Sequence, residues 1–380
     1  MSPADGVSPG AAGRDAEVNV LLLGKGTVGG RFLGLLAQNA ASLRDRSRVS
    51  LRLVGLVDRH RELFDEAGVN PAEAVVRLQS RPPSAVSPPD ARPLLARLMH
   101  LPAPVLVDCT AAEGMDALYA DAFRRGVHVV GANKKPLAAP SRVRDALAAL
   151  ARDHRRAWHY ETTVGASLPI VRTIQDLVRT GDRIERIEGA FSGTLGFIAH
   201  QLAQGVPLSS AVREAKDRGY TEPHPRDDLL GLDVARKALI LAREAGVAVE
   251  LADIAVEPFV PGDLLTEEDP QRFLSALSAL DVEFGAYVGR LRASQKALRY
   301  LARIELAGEK KARVQVGPVA VDADHPAMSL RGAEAMVAFF TERYSEFPLV
   351  VRGVGAGGEV TAAGVLADVL RVAEGALACR

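Results

Sequence analysis

Cysteine is almost absent from this chain: Cys109 and Cys379 are the only two in 380 residues. Two thiols build neither a disulfide framework nor a zinc site, so a reducing, cytoplasmic setting is expected. No run of Lys/Arg is interleaved with the few aromatic side chains, and the 47 basic and 47 acidic groups cancel. A nucleic-acid or membrane-surface partner is therefore not expected. No stretch reaches the roughly 18 consecutive apolar residues that a membrane span needs. The first 17 residues are rich in Gly, Ala, Ser and Pro without the apolar core of a secretory signal, and residues 1–17 read as a disordered tail. No internal repeat is present. The length suits a large core and two domains.

What is present begins with Val18 to Leu23, an apolar strand that runs into Gly24-Lys25-Gly26-Thr27-Val28-Gly29 and then a helical segment, Arg31 to Gln38. Strand, Gly-x-Gly-x-x-Gly, helix is the order of a dinucleotide-binding fold. Gly24 allows the tight turn, Gly26 lets the backbone approach a pyrophosphate, and Gly29 lets helix and strand pack closely. The strand Leu51 to Val57 ends in Asp58-Arg59. The carboxylate suits ribose hydroxyls and NAD, whereas the guanidinium suits a 2′-phosphate and NADP, so both cofactors stay open. Leu78 to Pro104 is broken by prolines and reads as surface loop with one short helix. Val105 to Asp108 is a buried strand, with Cys109 and Thr110 at its carboxyl end, where an open parallel sheet holds its ligand. Cys109 reads as a small buried hydrophobe, because no histidine partner is near it in sequence. A helix from Gly114 to Arg125 and a strand from Val127 to Val130 lead to Lys134-Lys135. These are surface lysines unless that sheet edge is the active-site crevice.

The second half opens at His159-Tyr160-Glu161, a crossing into another domain. Its small-residue turn reads on composition as a plain connection. A helix near Val171 to Thr180, a strand near Ile184 to Phe191 and the turn Ser192-Gly193-Thr194 follow. Between Gly219 and Leu241 a charged, proline-bounded loop carrying Glu222, Asp227 and Asp228 feeds a helix on which Asp233 and Lys237 stand at i and i+4. They are therefore neighbours on one face. A lone Asp/Lys pair is ordinarily a surface ion pair, but here it sits beside a dense acidic loop and downstream of a cofactor signature. After Gly246 the pattern mixes helices (Pro270 to Leu277, Gln295 to Tyr300) with strands (Leu301 to Leu306, Ala312 to Val321). A late glycine turn through Gly355 into a helix, Ala362 to Leu377, returns the chain to the nucleotide domain. The expected fold is α/β, a Rossmann-type dinucleotide-binding domain formed by 18–160 and 350–380 plus an α+β catalytic and dimerisation domain, 161–349.

Four motifs together resemble homoserine dehydrogenase, from about Val18 to the C-terminus. They are Gly-Tyr-Thr-Glu-Pro-His-Pro-Arg-Asp-Asp-Leu-Leu-Gly-Leu-Asp-Val-Ala-Arg-Lys, Tyr-Glu-Thr-Thr-Val-Gly-Ala-Ser-Leu-Pro, Phe-Ser-Gly-Thr-Leu-Gly and Gly-Val-Gly-Ala-Gly-Gly-Glu-Val-Thr-Ala. The resemblance implies a homodimer that interconverts L-aspartate 4-semialdehyde and L-homoserine with NAD or NADP. It makes Lys237 the catalytic lysine, Asp233 its partner and Lys134 a cofactor-side lysine. It puts Glu222, Asp228, Thr194 and Tyr220 at the substrate, and Gly355 at the cofactor beside Gly24, Gly26, Thr27, Val28, Gly29, Asp58, Arg59 and Thr110. It also makes Glu161, Val164, Ala166 and Leu168 the holders of a structural sodium ion, against the plain turn read from composition. Val354 stands where many relatives have proline. Neither an aspartate kinase nor a regulatory amino-acid-binding domain is visible, so threonine feedback through such a module is not expected. Two alternatives remain: a paralogue acting on a related amino aldehyde, and a non-catalytic nicotinamide-binding regulator.

Overall fold

Leu21, Leu22 and Leu23 have no solvent exposure, and the strand they end is the middle of the first of two sheets. The computed structural model describes residues 16–306 and 312–378. Strand β1 (Ala16–Leu23) leads into α1 (Thr27–Ser47), followed by β2 (Val49–Val57), β3 (Glu62–Phe64), α2 (Ala74–Gln79), α3 (Arg92–Leu98), β4 (Pro104–Asp108), α4 (Met115–Arg124), β5 (His128–Gly131), α5 (Lys135–Ala138), α6 (Ser141–Asp153) and β6 (Trp158–His159). The order across this sheet is β3-β2-β1-β4-β5-β6, parallel except for β3. Both faces are covered by helices, so its strands read as continuous apolar runs. Register places Leu23 beside Val57 and Asp108, and Asp108 beside Gly131. The carboxyl ends therefore form one row. The order reverses between β1 and β4, and at that point an open α/β sheet leaves its crevice.

The second layer follows: α7 (Val171–Arg179), β7 (Ile184–Ala190), α8 (Gly193–Ala203), α9 (Leu208–Asp217), α10 (Arg226–Leu229), α11 (Leu232–Glu244), β8 (Ala255–Val256), α12 (Pro270–Ala276), α13 (Asp281–Ala293), β9 (Ala297–Leu306), β10 (Ala312–Val321), β11 (Glu334–Thr341), β12 (Leu349–Val354) and α14 (Gly358–Ala378). Its sheet runs β12-β11-β7-β9-β10-β8, antiparallel apart from the β10–β8 pair. One face is buried beneath helices in a core that includes Ile187, Ile198, Leu239, Ile304 and Val337. The other carries a smaller cluster around Leu301, Met336 and Ala338.

Several expectations change. Met1 to Asp15 of the expected tail lie outside the described residues, but Ala16 and Glu17 are strand: Ala16 N donates to Arg48 O at 2.8 Å and Glu17 pairs with Arg52. The first helix is longer than Arg31 to Gln38. The helix expected at Gln295 to Tyr300 is the start of β9, because Leu298, Tyr300, Ala302 and Ile304 alternate into the core with period two, and a short apolar run fits either period. The chain enters that strand through Gln295 in the left-handed region, φ 57°. Residues 350–354 lie in β12 of the second sheet, so only α14 returns to the first, where it packs on α1, β1 and β5.

Candidate active site

The glycine loop between β1 and α1 is shaped by close contact. Gly24 has φ 89°, and a Cβ at Gly29 would lie 2.0 Å from Gly24 O, so helix and strand can approach only without it. Nothing lies within 4 Å of a Cβ built on Gly26, and no side chain caps the helix it opens. Free amides and open space are what a pyrophosphate requires, so these residues fit a dinucleotide. Thr27 is exposed and lies against Gly358, where a Cβ would come within 2.4 Å of Thr27 Cγ2, and Gly355 is pressed onto Ala335. Val28 packs against the apolar core of the first sheet.

At the end of β2, Asp58 Oδ1 accepts from the amides of His60 and Arg61 at 2.8 Å each, and Oδ2 lies 3.3 Å from Lys25 Nζ. Burial pushes this carboxyl up, but the two amides and the Lys25 ammonium outweigh it and hold it below the usual range. Lys25, which sequence reasoning passed over as the variable position of the glycine motif, thus joins Asp58 and the exposed Arg59 at this end.

At the end of β4, Asp108 is fully buried. Its carboxylate accepts from Thr110 N at 2.8 Å, Tyr119 Oη at 2.8 Å and Asn133 Nδ2 at 3.2 Å. Burial raises its pKa against these donors. Asn133 Nδ2 also reaches Ala112 O at 2.9 Å, and Asn133 Oδ1 accepts from Lys135 N. One buried carboxylate therefore ties the loop after β4 to the turn that presents Lys134. Nothing in the sequence marked Asp108 or Asn133 as joined, because they are 25 residues apart. Burial and the adjacent Asp108 charge push the Cys109 thiol far up, so it is no nucleophile near neutrality.

Across the crevice, Asp233 and Lys237 rise from α11. Lys237 Nζ lies 2.8 Å from Asp233 Oδ2, and Lys134 Nζ lies 2.8 Å from Asp233 Oδ1. Each carboxylate oxygen is thus held by one lysine, and the contact joins the two layers. Lys237 Nζ also donates to Phe191 O at 2.8 Å. Burial pushes the carboxyl of Asp233 up, but the two ammonium groups outweigh it and hold it well below the usual range. Lys237 is lowered from the ordinary lysine value by burial, with Asp233 opposing. Lys135 instead turns out to Glu113 at 3.0 Å.

The substrate-side residues also converge. Thr194 sits in the first turn of α8, whose N-cap Ser192 accepts from Leu195 N. Its Oγ1 lies 2.6 Å from Tyr220 O and 2.9 Å from Asp228 Oδ1, with one hydroxyl proton between two acceptors. Asp228 Oδ2 accepts from Glu222 N at 2.8 Å. Burial pushes Asp228 up to about 6 against those donors. The Glu222 carboxylate is exposed and has no hydrogen-bond or ionic partner among the described residues. The Tyr220 ring meets Phe197 edge-on at 5.2 Å.

The comparisons with known proteins bear on this geometry. The family model "Homoserine dehydrogenase" matches residues 169–370, and "Homoserine dehydrogenase, NAD binding domain" matches 24–161. The chain belongs to the homoserine dehydrogenase family. A homoserine dehydrogenase of Emericella nidulans is 36% identical over 371 residues, covering 94% of this chain and 99% of its own. A bifunctional aspartokinase/homoserine dehydrogenase of Haemophilus influenzae is 40% identical over 356 residues, covering 93% of this chain and 42% of its own. The chain thus spans about two fifths of such bifunctional relatives or less. A crystal structure of a protein of unknown function from Candida auris superimposes with a TM-score of 0.84 at 34% identity, covering 94% and 98% of the two chains. The family's NAD-binding domain falls on the first sheet, so nicotinamide dinucleotide binding follows.

The expected sodium loop is the least supported of the predicted sites. Among the described residues no cluster of three or more His, Cys, Asp or Glu could hold a metal. Both carboxylate oxygens of Glu161 are taken by amides at the start of α7, Val171 N at 2.7 Å and Arg172 N at 3.1 Å. Ala166 takes the left-handed conformation, φ 55°, and Val164 is buried. Leu168 O already accepts from Ile170 N at 2.8 Å.

Proposed function

We propose that this protein is a homoserine dehydrogenase, interconverting L-homoserine and L-aspartate 4-semialdehyde with NAD or NADP. The observation that carries the reading is the Lys134–Asp233–Lys237 arrangement, an acid–base amine of one layer locked to a lysine in the crevice of the other. A bound nicotinamide supplies or accepts the hydride. Lys237 Nζ handles the proton on the substrate oxygen, donating it when the aldehyde is reduced and accepting it when the alcohol is oxidised. Burial favours the free amine and Asp233 favours the ammonium, so both forms come within reach. Lys134 shares Asp233 and fixes its orientation. The free Glu222 carboxylate suits the substrate ammonium, with Asp228, Thr194 and Tyr220 as the wall around it. The nucleotide unit in this reading is 16–160 with α14, and the catalytic unit is 161–354.

The test is an initial-rate assay following reduced nicotinamide, with L-homoserine and NAD or NADP in separate reactions. Because the Asp58 carboxylate is engaged by two amides and Lys25, and the exposed Arg59 beside it has no partner among the described residues, NADP should be used at least as well as NAD. Reduction of neither cofactor, with binding shown separately, would sink the proposed reaction. A sodium ion rests on the family resemblance. It would have to be held by main-chain carbonyls of Glu161, Val164, Ala166 and Leu168, because the carboxylate is engaged. An unfolding midpoint equal in sodium and choline chloride would remove it.

A homodimer is the remaining part of the reading. On the face of the second sheet opposite its helices Met336 and Ala338 are already buried, while Val350 and Val354 of β12 stand exposed on either side of Arg352, which pairs with Glu334. Val354 is 60% exposed and Phe347, in the turn before β12, is 75% exposed. β12 is also a sheet edge. A second copy would cover both features.

A further inference from the structure

We propose that the cavity where α6, β6, α7 and α14 meet binds a small multivalent anion, bearing phosphate or several carboxylates, apart from the catalytic cleft. Its volume is about 430 Å³, and none of Lys134, Asp233 and Lys237 lines it. That size is within the range of small-ligand sites. Five guanidinium groups surround it: Arg152 and Arg156 flanking the end of α6, Arg172 and Arg179 on α7, and Arg371 on α14.

The three acids that share the cavity, Glu161, Asp176 and Asp368, balance only part of this charge and leave the arginines in excess. The Glu161 carboxylate is taken by the amides of Val171 and Arg172, and Asp368 accepts from Glu161 N and pairs with Arg371. Only Asp176 is left, while Arg152, Arg172 and Arg179 have no ion pair among the described residues. Complementing a helix dipole explains single arginines in the last turns of α6 and α7. It does not explain Arg172, which is a cation in the first turn of α7, where the dipole disfavours one. His159 also lines the cavity, and its imidazole makes no hydrogen bond among the described residues. Guanidinium forks in excess over the carboxylates beside them are a usual recognition of phosphate or carboxylate. Because Arg152, Arg156 and Arg371 belong to the first layer and Arg172 and Arg179 to the second, the anion would bridge the two and relieve their mutual repulsion.

Thermal unfolding of the full chain, with and without saturating NADP, tests this against citrate, pyrophosphate and KCl at matched ionic strength. The expected result is a saturable rise in midpoint with citrate or pyrophosphate, absent with KCl and persisting when NADP fills the glycine loop. The anion giving half-saturation at the lower concentration identifies the head group. The rise should be lost in Arg172→Gln/Arg179→Gln and weakened in Arg152→Gln, all exposed positions, with turnover in anion-free buffer unchanged. No rise beyond KCl, or an equal rise in the double variant, overturns the proposal.

Discussion

Asp233 is half-exposed at its side chain, 49%, yet both of its oxygens are engaged, while Lys237 is only 12% exposed. Solvent therefore screens the carboxylate more than the amine, and the amine is the group whose protonation the site controls. Lys237→Ala should lower turnover by about 10²- to 10⁴-fold, as expected for a lost general acid–base group, with cofactor affinity nearly intact. Steady-state kinetics with a separate binding titration checks this, and near-normal turnover would remove Lys237 from the chemistry. Glu222→Gln should instead raise KM for the amino substrate with little effect on kcat, because a charge that meets the ammonium in ground and transition state alike contributes uniform binding. An unchanged KM would sink that role. The sequence showed Asp233 and Lys237 as neighbours because i, i+4 spacing on a helix is a local geometry. The local pattern did not separate Lys134 from Lys135, and only the family resemblance singled out Lys134, since which lysine faces Asp233 and which faces Glu113 depends on how β5 meets α11.

At the scale of elements, α14 links the two layers through one buried carboxylate. Asp368 is 1% exposed, accepts from Glu161 N at 3.0 Å, and is pushed by burial from the ordinary 3.8 up to about 6. Between those values the folded state keeps a proton that the unfolded state has lost, so stability falls as pH rises through about 4 to 6. Asp368→Asn removes that dependence. Denaturant unfolding should therefore show the variant gaining on the wild type across this window by up to about 2–3 kcal/mol, added to a constant offset from the lost Arg371 pairing. A pH-independent difference would place the ordinary carboxyl value there. The elements themselves were unevenly legible. β1 and the glycine loop could be read because a run of apolar residues ending in a required glycine has few other uses. β9 was read partly as helix, and β11, α9 and α13 were not anticipated, because short apolar stretches carry no unambiguous period without their packing partners.

At the scale of the molecule, the edge strand β12, with Val350 and Val354 exposed on it, is where the proposed second copy would pack. Light scattering behind size exclusion should give twice the chain mass for the wild type and the monomer mass for Val350→Asp/Val354→Glu, since charges in a dry interface core are costly. A monomeric wild type would overturn the dimer. Local chemistry by itself determined the nucleotide loop, the acid–amine helix and the family. Each of these rests on residues close in sequence or on composition. Only the tertiary structure decided which lysine meets Asp233, that Asp108 and Asn133 tie the cofactor-side loops together, and that five arginines from three segments converge on one cavity. Those contacts join residues separated by tens to hundreds of positions, and their geometry exists only once two sheets, with helices between them, have packed.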